Sequence, residues 1–100
     1  MASRNKSKYS CAGLLKVLAD ETRLSVLRQL MKRPKNVAEI NASLGIEQTL
    51  LSHHLKVLRE AGLVITQRNG KAVLYSLAPG VEDIRSGMAI NLGCCMISFK

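Results

Sequence analysis

Residues 46–63 read IEQTLLSHHLKVLREAGL, and this stretch predicts more of the architecture than any other part of the chain. In a helix, Leu51, Leu55 and Leu58 lie on one face, because they are spaced i, i+4 and i+7. Gly62 stands where a glycine commonly terminates a helix. The sequence therefore predicts a helix that packs on a core through its leucines and ends at this glycine.

The opposite face of this predicted helix carries short polar side chains and one cation. Its members are Gln48, Thr49, Ser52, His53 and Lys56. A helix that faces only solvent normally carries several carboxylates and longer charged side chains instead. Short hydrogen-bonding groups beside a cation suit contact with base edges and phosphates. The face predicts a nucleic-acid contact, and an ordinary amphipathic surface helix is the alternative.

The composition agrees with a small basic domain. The chain has 100 residues, of which 47% are hydrophobic, enough for one compact core. Its formal charge of +8 arises from 15 Lys and Arg against 7 Asp and Glu, which favours a polyanionic partner such as nucleic acid. Anionic membrane surfaces and acidic proteins are the alternatives. With only 3% aromatic residues, the domain gains burial by dimerising.

The sequence also predicts a cytoplasmic protein with no membrane partner. No apolar run approaches the roughly 20 residues of a membrane span, and the basic N-terminus lacks the apolar segment of a secretory signal. The 3 cysteines cannot all pair within one chain. We therefore expect a reducing compartment, in which the thiols remain free to react or bind metal.

Three further helices are predicted upstream of the polar face. Residues 1–9 are polar and basic and are expected to form a flexible tail, followed by a short helix over 10–18. Asp20 is the expected N-cap of a second helix. Residues 36–39 match a capping box that opens a third helix, and Gly45 permits the tight turn that follows it.

Two short β-runs and another helix are predicted downstream. The runs are LVITQR at 63–68 and KAVLYSL at 71–77, and the intervening Asn69-Gly70 predicts a hairpin in which both residues take positive φ. Residues 81–92 are expected to form a last helix, and residues 93–100 a short tail that carries a cysteine pair. The predicted fold is mainly α with a small β-hairpin, a winged helix-turn-helix domain over 10–92 with about five helices and a two-stranded wing.

Residues 14–77 resemble the ArsR/SmtB family of bacterial metal-responsive repressors. Three blocks carry the resemblance: LADETRLSVLRQL at 18–30, LLSHHLKVLREAGLV at 50–64 and RNGKAVLYSL at 68–77. The resemblance implies a homodimer paired through the first and last helices. It also implies a transcriptional repressor that binds double-stranded operator DNA and releases it when an inducer binds. A symmetric dimer requires inverted-repeat half-sites about one helical turn, or a multiple, apart.

In such a fold the second helix of the helix-turn-helix enters the major groove. Gln48 can pair bidentately with adenine, Ser52 can contact several bases, and His53 can contact a base edge or a phosphate. Phosphate contacts are expected from three cations in the helix and the wing, Lys56, Arg68 and Lys71.

Two residues beside this face are interpreted differently. His54 lies at the edge of the leucine stripe and is expected to be a structural histidine bonded within the fold. Glu47 stands where the family usually has a serine N-cap; it is expected to cap less well and to repel a nearby phosphate.

The family resemblance leads us to expect a sensor site with cysteines in the third helix, or one with histidines in the last helix. Both sites are absent from this sequence. The helix over 37–45 has no cysteine, and residues 81–92 have no histidine. What remains is Cys11 near the first helix and Cys94-Cys95 after the last. Three thiolates suit As(III) or Sb(III) as inducer, or Cd(II) or Pb(II) with added ligands, and no organic cofactor is expected.

Several alternatives to this sensor remain open. The cluster can form within one chain or between two, and the cysteines can also be small buried apolar residues. A thiol redox or reactive-sulfur sensor would form a disulfide from Cys11 to Cys94 or Cys95. A winged-helix dimerisation module without sensing is a further alternative. Catalysis is not expected, because the histidines lie on the groove-facing helix, away from the cysteines, and the chain has no phosphate-binding glycine loop.

Overall fold

The computed structural model describes residues 9–82 and 89–99. Over these residues four helices are followed by two β-hairpins, in the order α1 Cys11–Leu18, α2 Glu21–Lys32, α3 Val37–Leu44, α4 Gln48–Glu60, β1 Val64–Asn69, β2 Ala72–Leu77, β3 Ala89–Asn91 and β4 Met96–Ser98. The predicted winged helix-turn-helix is confirmed, with α3 and α4 as its helix pair and β1–β2 as its wing. Within the described part of the chain, no helix is long and apolar enough to cross a bilayer.

The helix starts follow the local capping signals. The Asp20 carboxylate accepts a hydrogen bond from the Arg23 backbone N–H at 3.0 Å, which confirms it as the N-cap of α2. Asn36 and Glu39 form the predicted capping box, with each side chain bonded to the other residue's backbone N–H at 2.8 and 2.9 Å. Each bond satisfies a backbone donor that has no partner inside its helix.

The leucine stripe of α4 forms the centre of the core, as predicted. Leu51, Leu55 and Leu58 are at most 1% exposed. They belong to one buried cluster with residues of the other helices and of both hairpins, including Leu14, Leu27, Ile40, Leu63, Ile90 and Leu92. Residues 1–8 of the predicted flexible tail lie outside the described residues, whereas Tyr9 packs partly against this cluster.

The turn of the wing differs by one residue from the prediction. Asn69 pairs with Ala72, so the two central residues of the turn are Gly70 and Lys71. Only glycines have positive φ among the described residues; Gly70 has φ 67°, and Asn69 remains in the strand. A hairpin loop with glycine at its first central position meets the same twist requirement as the predicted Asn-Gly turn.

A single antiparallel bridge connects the wing to the segment between α2 and α3. Lys35 exchanges two backbone hydrogen bonds with Tyr75 of β2, at 2.8 and 3.0 Å. The segment between α2 and α3 thus continues the sheet, and it fixes the wing relative to the helix-turn-helix.

The predicted helix over 81–92 is wrong for all of its described residues. Residues 89–91 form β3, which pairs antiparallel with β4, and Glu82 bridges Ile90. Residues 83–88 of that prediction lie outside the described residues. A short apolar segment does not distinguish helix from strand by periodicity alone. Here β4 supplies the strand partner, so the segment expected to be a tail sets the conformation of the segment before it.

Candidate nucleic-acid interface and thiol cluster

The polar face of α4 is exposed along its whole length. All five side chains assigned to it from the sequence are exposed, namely Gln48, Thr49, Ser52, His53 and Lys56. Leu50 lies among them with 46% exposure. Arg68 and Lys71, the two cations expected to contact phosphates from the wing, are exposed at the end of β1 and in the hairpin turn. The arrangement offers hydrogen-bonding groups, an apolar contact and three cations to an external partner.

Glu47 caps the N-terminus of α4. Its carboxylate accepts a hydrogen bond from the Leu50 backbone N–H at 3.0 Å, although the sequence favoured a weaker cap at this position. The same bond holds the pKa of Glu47 below its ordinary value, with a further contribution from the Thr49 side chain. The residue is therefore a carboxylate at neutral pH, exposed beside the helix end that a helix-turn-helix presents to a groove.

A side chain that sequence reasoning missed holds the turn between α3 and α4. Asn41 donates from its amide nitrogen to the Ile46 carbonyl at 2.9 Å, and its amide oxygen accepts from the Ile46 N–H at 3.0 Å. The backbone N–H of Gly45, which has φ 62°, bonds the Asn41 carbonyl. Asparagine inside a helix is a poor helix former and commonly bonds backbone groups, which is the only sequence signal for this role.

His54 is buried and bonded within the fold, as predicted. It is 8% exposed, and its Nδ1 lies 3.1 Å from Nη1 of Arg23 on α2. Because a guanidinium only donates, Nδ1 is the acceptor. Nε of Arg23 donates to the Val17 carbonyl of α1 at 2.6 Å. One side chain therefore joins α1, α2 and α4, and Arg23 is the second positioning residue that the sequence did not reveal.

The three cysteines come together within one chain. Cys11 and Cys94 form a disulfide with Cα atoms 6.1 Å apart, and Cys95 is the free cysteine. The Sγ of Cys95 lies 3.9 Å from that of Cys11, and all three sulfurs lie within 4.8 Å of one another. The structure differs from the expectation that all three thiols are free. It places the cluster within one chain, one of the two arrangements that the sequence allows.

The adjacent cysteines reach the same partner because they lie in a turn. Gly93 has φ 90°, and its N–H bonds the side-chain oxygen of Asn91 at 2.8 Å. The Leu92 N–H bonds the Cys95 carbonyl at 2.9 Å, which closes the loop between β3 and β4. On a regular helix adjacent side chains diverge. Here the loop after Gly93 brings both sulfurs to the start of α1.

The three cysteines fit a soft metal or metalloid only when all three are reduced. Three sulfur donors within 4.8 Å match a site for As(III), Sb(III) or a soft divalent ion. Thiolates are the ligands, so the disulfide between Cys11 and Cys94 must be reduced before either can bind.

Comparison with known proteins gives a family match over α2, α3, α4 and the first residues of β1. The family described as "Bacterial regulatory protein, arsR family" matches residues 20–66. The chain is 42% identical over 66 residues to the HTH-type transcriptional regulator NmtR of Mycobacterium tuberculosis, which covers 66% of this chain and 55% of that protein.

Two solved structures are also similar. Reduced HlyU from Vibrio cholerae has 39% identity and a TM-score of 0.63, covering 67% of this chain and 70% of that one. A homodimeric winged helix-turn-helix DNA-binding domain from Mycobacterium bovis has 31% identity and a TM-score of 0.59, covering 71% and 74%.

Because these matches cover only part of each relative, they show the family to which the chain belongs and no more. The chain spans about half the length of the curated relatives it matches first, 55% and 48% of two regulators from Mycobacterium tuberculosis. The Vibrio cholerae transcriptional activator HlyU is 37% identical and is covered over 68% of its length. The chain therefore belongs to the ArsR/SmtB family of bacterial transcriptional regulators.

Proposed function

We propose that this protein is a dimeric transcriptional repressor that binds operator DNA through α4 and the wing. The observation that carries the proposal is the division of α4 into two faces. Three leucines anchor one face in the core, and the five polar side chains of the other are all exposed. Gln48 and Ser52 are proposed to read bases, Thr49 and His53 to contact bases or phosphates, and three cations to bind phosphates: Lys56, Arg68 and Lys71.

A homodimer is supported by apolar side chains that the single chain leaves exposed. Leu15 on α1 is 42% exposed and lies one helical turn from Cys11, whereas Met96 on β4 is 49% exposed and follows Cys95 directly. The related Mycobacterium bovis domain is described as homodimeric. Because the expected last helix is replaced, we propose that α1 and the β3–β4 hairpin form the dimer contact. Such a dimer presents α4 twice, which requires inverted-repeat half-sites.

DNA binding is tested first with duplexes selected by the wild-type protein from a randomised pool. A repressor of this kind enriches an inverted repeat, and its affinity falls steeply with salt concentration. Lys56→Ala removes one cation from each of the two half-site contacts, so it should weaken binding to all duplexes and lower the salt slope by about two, whereas Gln48→Ala should change the preferred bases at the same position of each half-site. Lys32→Ala is the charge-matched control, because it removes an exposed cation at the end of α2. Enrichment of no sequence would instead favour an interaction module.

The proposed inducer is a soft metal or metalloid, As(III) or Sb(III) in the first place, held by the reduced cluster. The donor set supports this assignment, since three sulfurs converge and no harder ligand joins them among the described residues. Metalloid binding would link α1 to the β3–β4 loop. It would so change the position of α1 relative to the β3–β4 hairpin, the two elements of the proposed dimer contact. An allosteric coupling of about 1–3 kcal/mol would lower operator affinity roughly 5- to 150-fold.

The metalloid is tested on fully reduced protein. Arsenite should release the selected duplex from the wild type, and Cd(II) should produce a sulfur-to-metal charge-transfer absorption. Cys11→Ser should lose both responses while keeping sequence-specific binding, because Cys11 lies outside α4 and the wing. DNA binding that ignores arsenite, antimonite, cadmium and lead in reduced wild-type protein would remove the metalloid from the proposal.

Thiol redox sensing is the second candidate, and the Cys11–Cys94 disulfide specifically favours it. In this version two thiols lose two electrons and two protons to a peroxide or a small disulfide, and the new bond ties α1 to the β3–β4 loop. Oxidised and reduced wild type should then differ in affinity for the selected duplex, with no difference in Cys11→Ser. Equal affinity of the two wild-type forms would exclude this candidate and leave metalloid binding as the remaining sensor.

A further inference from the structure

We propose that Cys95 exchanges with the Cys11–Cys94 disulfide, so that the oxidised protein alternates between two bonds, Cys11–Cys94 and Cys11–Cys95. The inference concerns the cysteine chemistry alone and goes beyond the proposed DNA binding. Its basis is the position of the third sulfur. Cys95 is the free cysteine, and its Sγ lies 3.9 Å from the disulfide sulfur of Cys11.

The exchange is balanced within the chain. The Cys95 thiol loses its proton to water, and the thiolate attacks Sγ of Cys11. The Cys11–Cys94 bond breaks as the Cys11–Cys95 bond forms, and Cys94 leaves as a thiolate that takes up a proton. No external oxidant or reductant takes part, since the number of disulfide bonds and of free thiols is unchanged.

The loop between β3 and β4 lets either cysteine reach Cys11. Cys94 and Cys95 are adjacent, and the turn at Gly93 already places both sulfurs within 4.8 Å of the Cys11 sulfur. The hydrogen bond from Leu92 N–H to the Cys95 carbonyl keeps this loop closed. Both bonds therefore tie the start of α1 to the same loop. The difference lies in which thiol is left free.

Exchange changes the exposure of that free thiol. While the Cys11–Cys94 bond is formed, the free thiol is that of Cys95. Cys95 is half-buried, whereas Cys94 is exposed. After exchange the exposed Cys94 carries the thiol and becomes a site for soft electrophiles and small disulfides. The two isomers thus hold the same tertiary link and differ in reactivity.

The test is mass spectrometric and uses no DNA. Oxidised wild type is alkylated with iodoacetamide under native conditions at neutral pH, and tandem mass spectra of the C-terminal peptide locate the label. Exchange predicts label on Cys94 as well as on Cys95. Label confined to Cys95 would overturn the proposal. Reduced Cys11→Ser, in which both thiols are free, shows that either label can be detected.

Two further variants test the alternative bond directly. Cys94→Ser should still form an intramolecular disulfide with diamide, at a rate within about tenfold of that of Cys95→Ser, because each retains one sulfur close to Cys11. A Cys94→Ser chain that stays reduced while Cys95→Ser oxidises would contradict the inference. Neither result bears on operator binding, so the repressor proposal stands or falls separately.

Discussion

Arg23 Nη1 lies 3.1 Å from Nδ1 of the buried His54, and the same guanidinium donates through Nε to the Val17 carbonyl at 2.6 Å. The helix that begins with Cys11 is thus bonded through one side chain to the helix that carries the proposed DNA-reading face. The hydrogen bonds of Arg23 therefore fix α4 relative to α1, the helix whose first residue is Cys11.

Replacing Arg23 should destabilise the fold and disturb α4. Arg23→Ala leaves the Val17 carbonyl and buried His54 Nδ1 without their donors. Hydrogen bonds to charged groups contribute about 1.5–3 kcal/mol, so we expect a loss of that order in the free energy of unfolding, measured by urea titration. Lys32→Ala, which removes an exposed cation from the same helix, should change it by less than about 0.5 kcal/mol. Equal losses in the two variants would refute the bridging role.

Asn41 should be needed for the turn that sets the angle of α4. Asn41→Ala removes two hydrogen bonds to Ile46, each contributing about 0.5–1.5 kcal/mol to stability. We expect lower unfolding free energy together with weaker binding to the selected duplex. Ser43→Ala, an exposed position on the same helix, is the control and should leave both unchanged. The interpretation fails if Asn41→Ala binds DNA as tightly as the control.

Glu47 should weaken DNA binding through its charge. The exposed carboxylate stands at the N-terminus of α4, where a phosphate would approach. Glu47→Ser keeps a capping oxygen and removes the repulsion, about 1 kcal/mol for charges near 4 Å apart in water. Because the proposed dimer carries two such carboxylates, affinity for the selected duplex at low salt should rise roughly fivefold for each, about 30-fold in all, and the gain should shrink as salt screens the charges. Glu60→Ser, at the opposite end of α4, is the control; an equal gain there would indicate only a change in net charge.

Asp20 should make stability depend on pH in acid. The Arg23 backbone N–H bonded to its carboxylate holds the pKa of Asp20 below its ordinary value of 3.8, with a smaller contribution from the charge of the Arg23 guanidinium. A lowered folded-state pKa stabilises the protein above the unfolded-state value, and this contribution disappears as pH falls through the folded-state value.

The variant Asp20→Asn should therefore be less stable than wild type at neutral pH, and the difference should shrink below about pH 4. Thermal unfolding followed by circular dichroism between pH 2 and 7 checks this. Glu21→Gln, which removes the next, exposed carboxylate, controls for the change in charge. A wild-type advantage that grew in acid would have the wrong sign for this explanation.

The proposed dimer contact should be sensitive to charge at Leu15. Leu15 is 42% exposed on α1, so Leu15→Glu costs the single chain little burial but places a carboxylate in the contact. Analytical ultracentrifugation should show a monomer, with loss of tight binding to the inverted repeat. Val73→Glu on the wing, where the native side chain is 37% exposed, should stay dimeric. A dimeric Leu15→Glu would place the contact elsewhere.

Much of the helix-turn-helix could be predicted because its signals are local. The leucine stripe of α4, the Asp20 cap, the capping box at 36–39 and the glycines that end α3 and α4 each act within a few residues. Side-chain periodicity and backbone φ are properties of a single segment, so they can be interpreted without a partner.

The second hairpin, the cysteine pairing and the bridge from Arg23 to His54 depended instead on distant residues. Residues 89–91 become a strand because β4 is available to pair with them. Cys11 meets a cysteine 83 positions away because the loop between β3 and β4 lies beside the start of α1. Arg23 finds His54 only when α2 packs on α4. Such contacts gain their free energy from burial and hydrogen bonding between segments, and no pattern within one segment specifies which distant partner will be in reach.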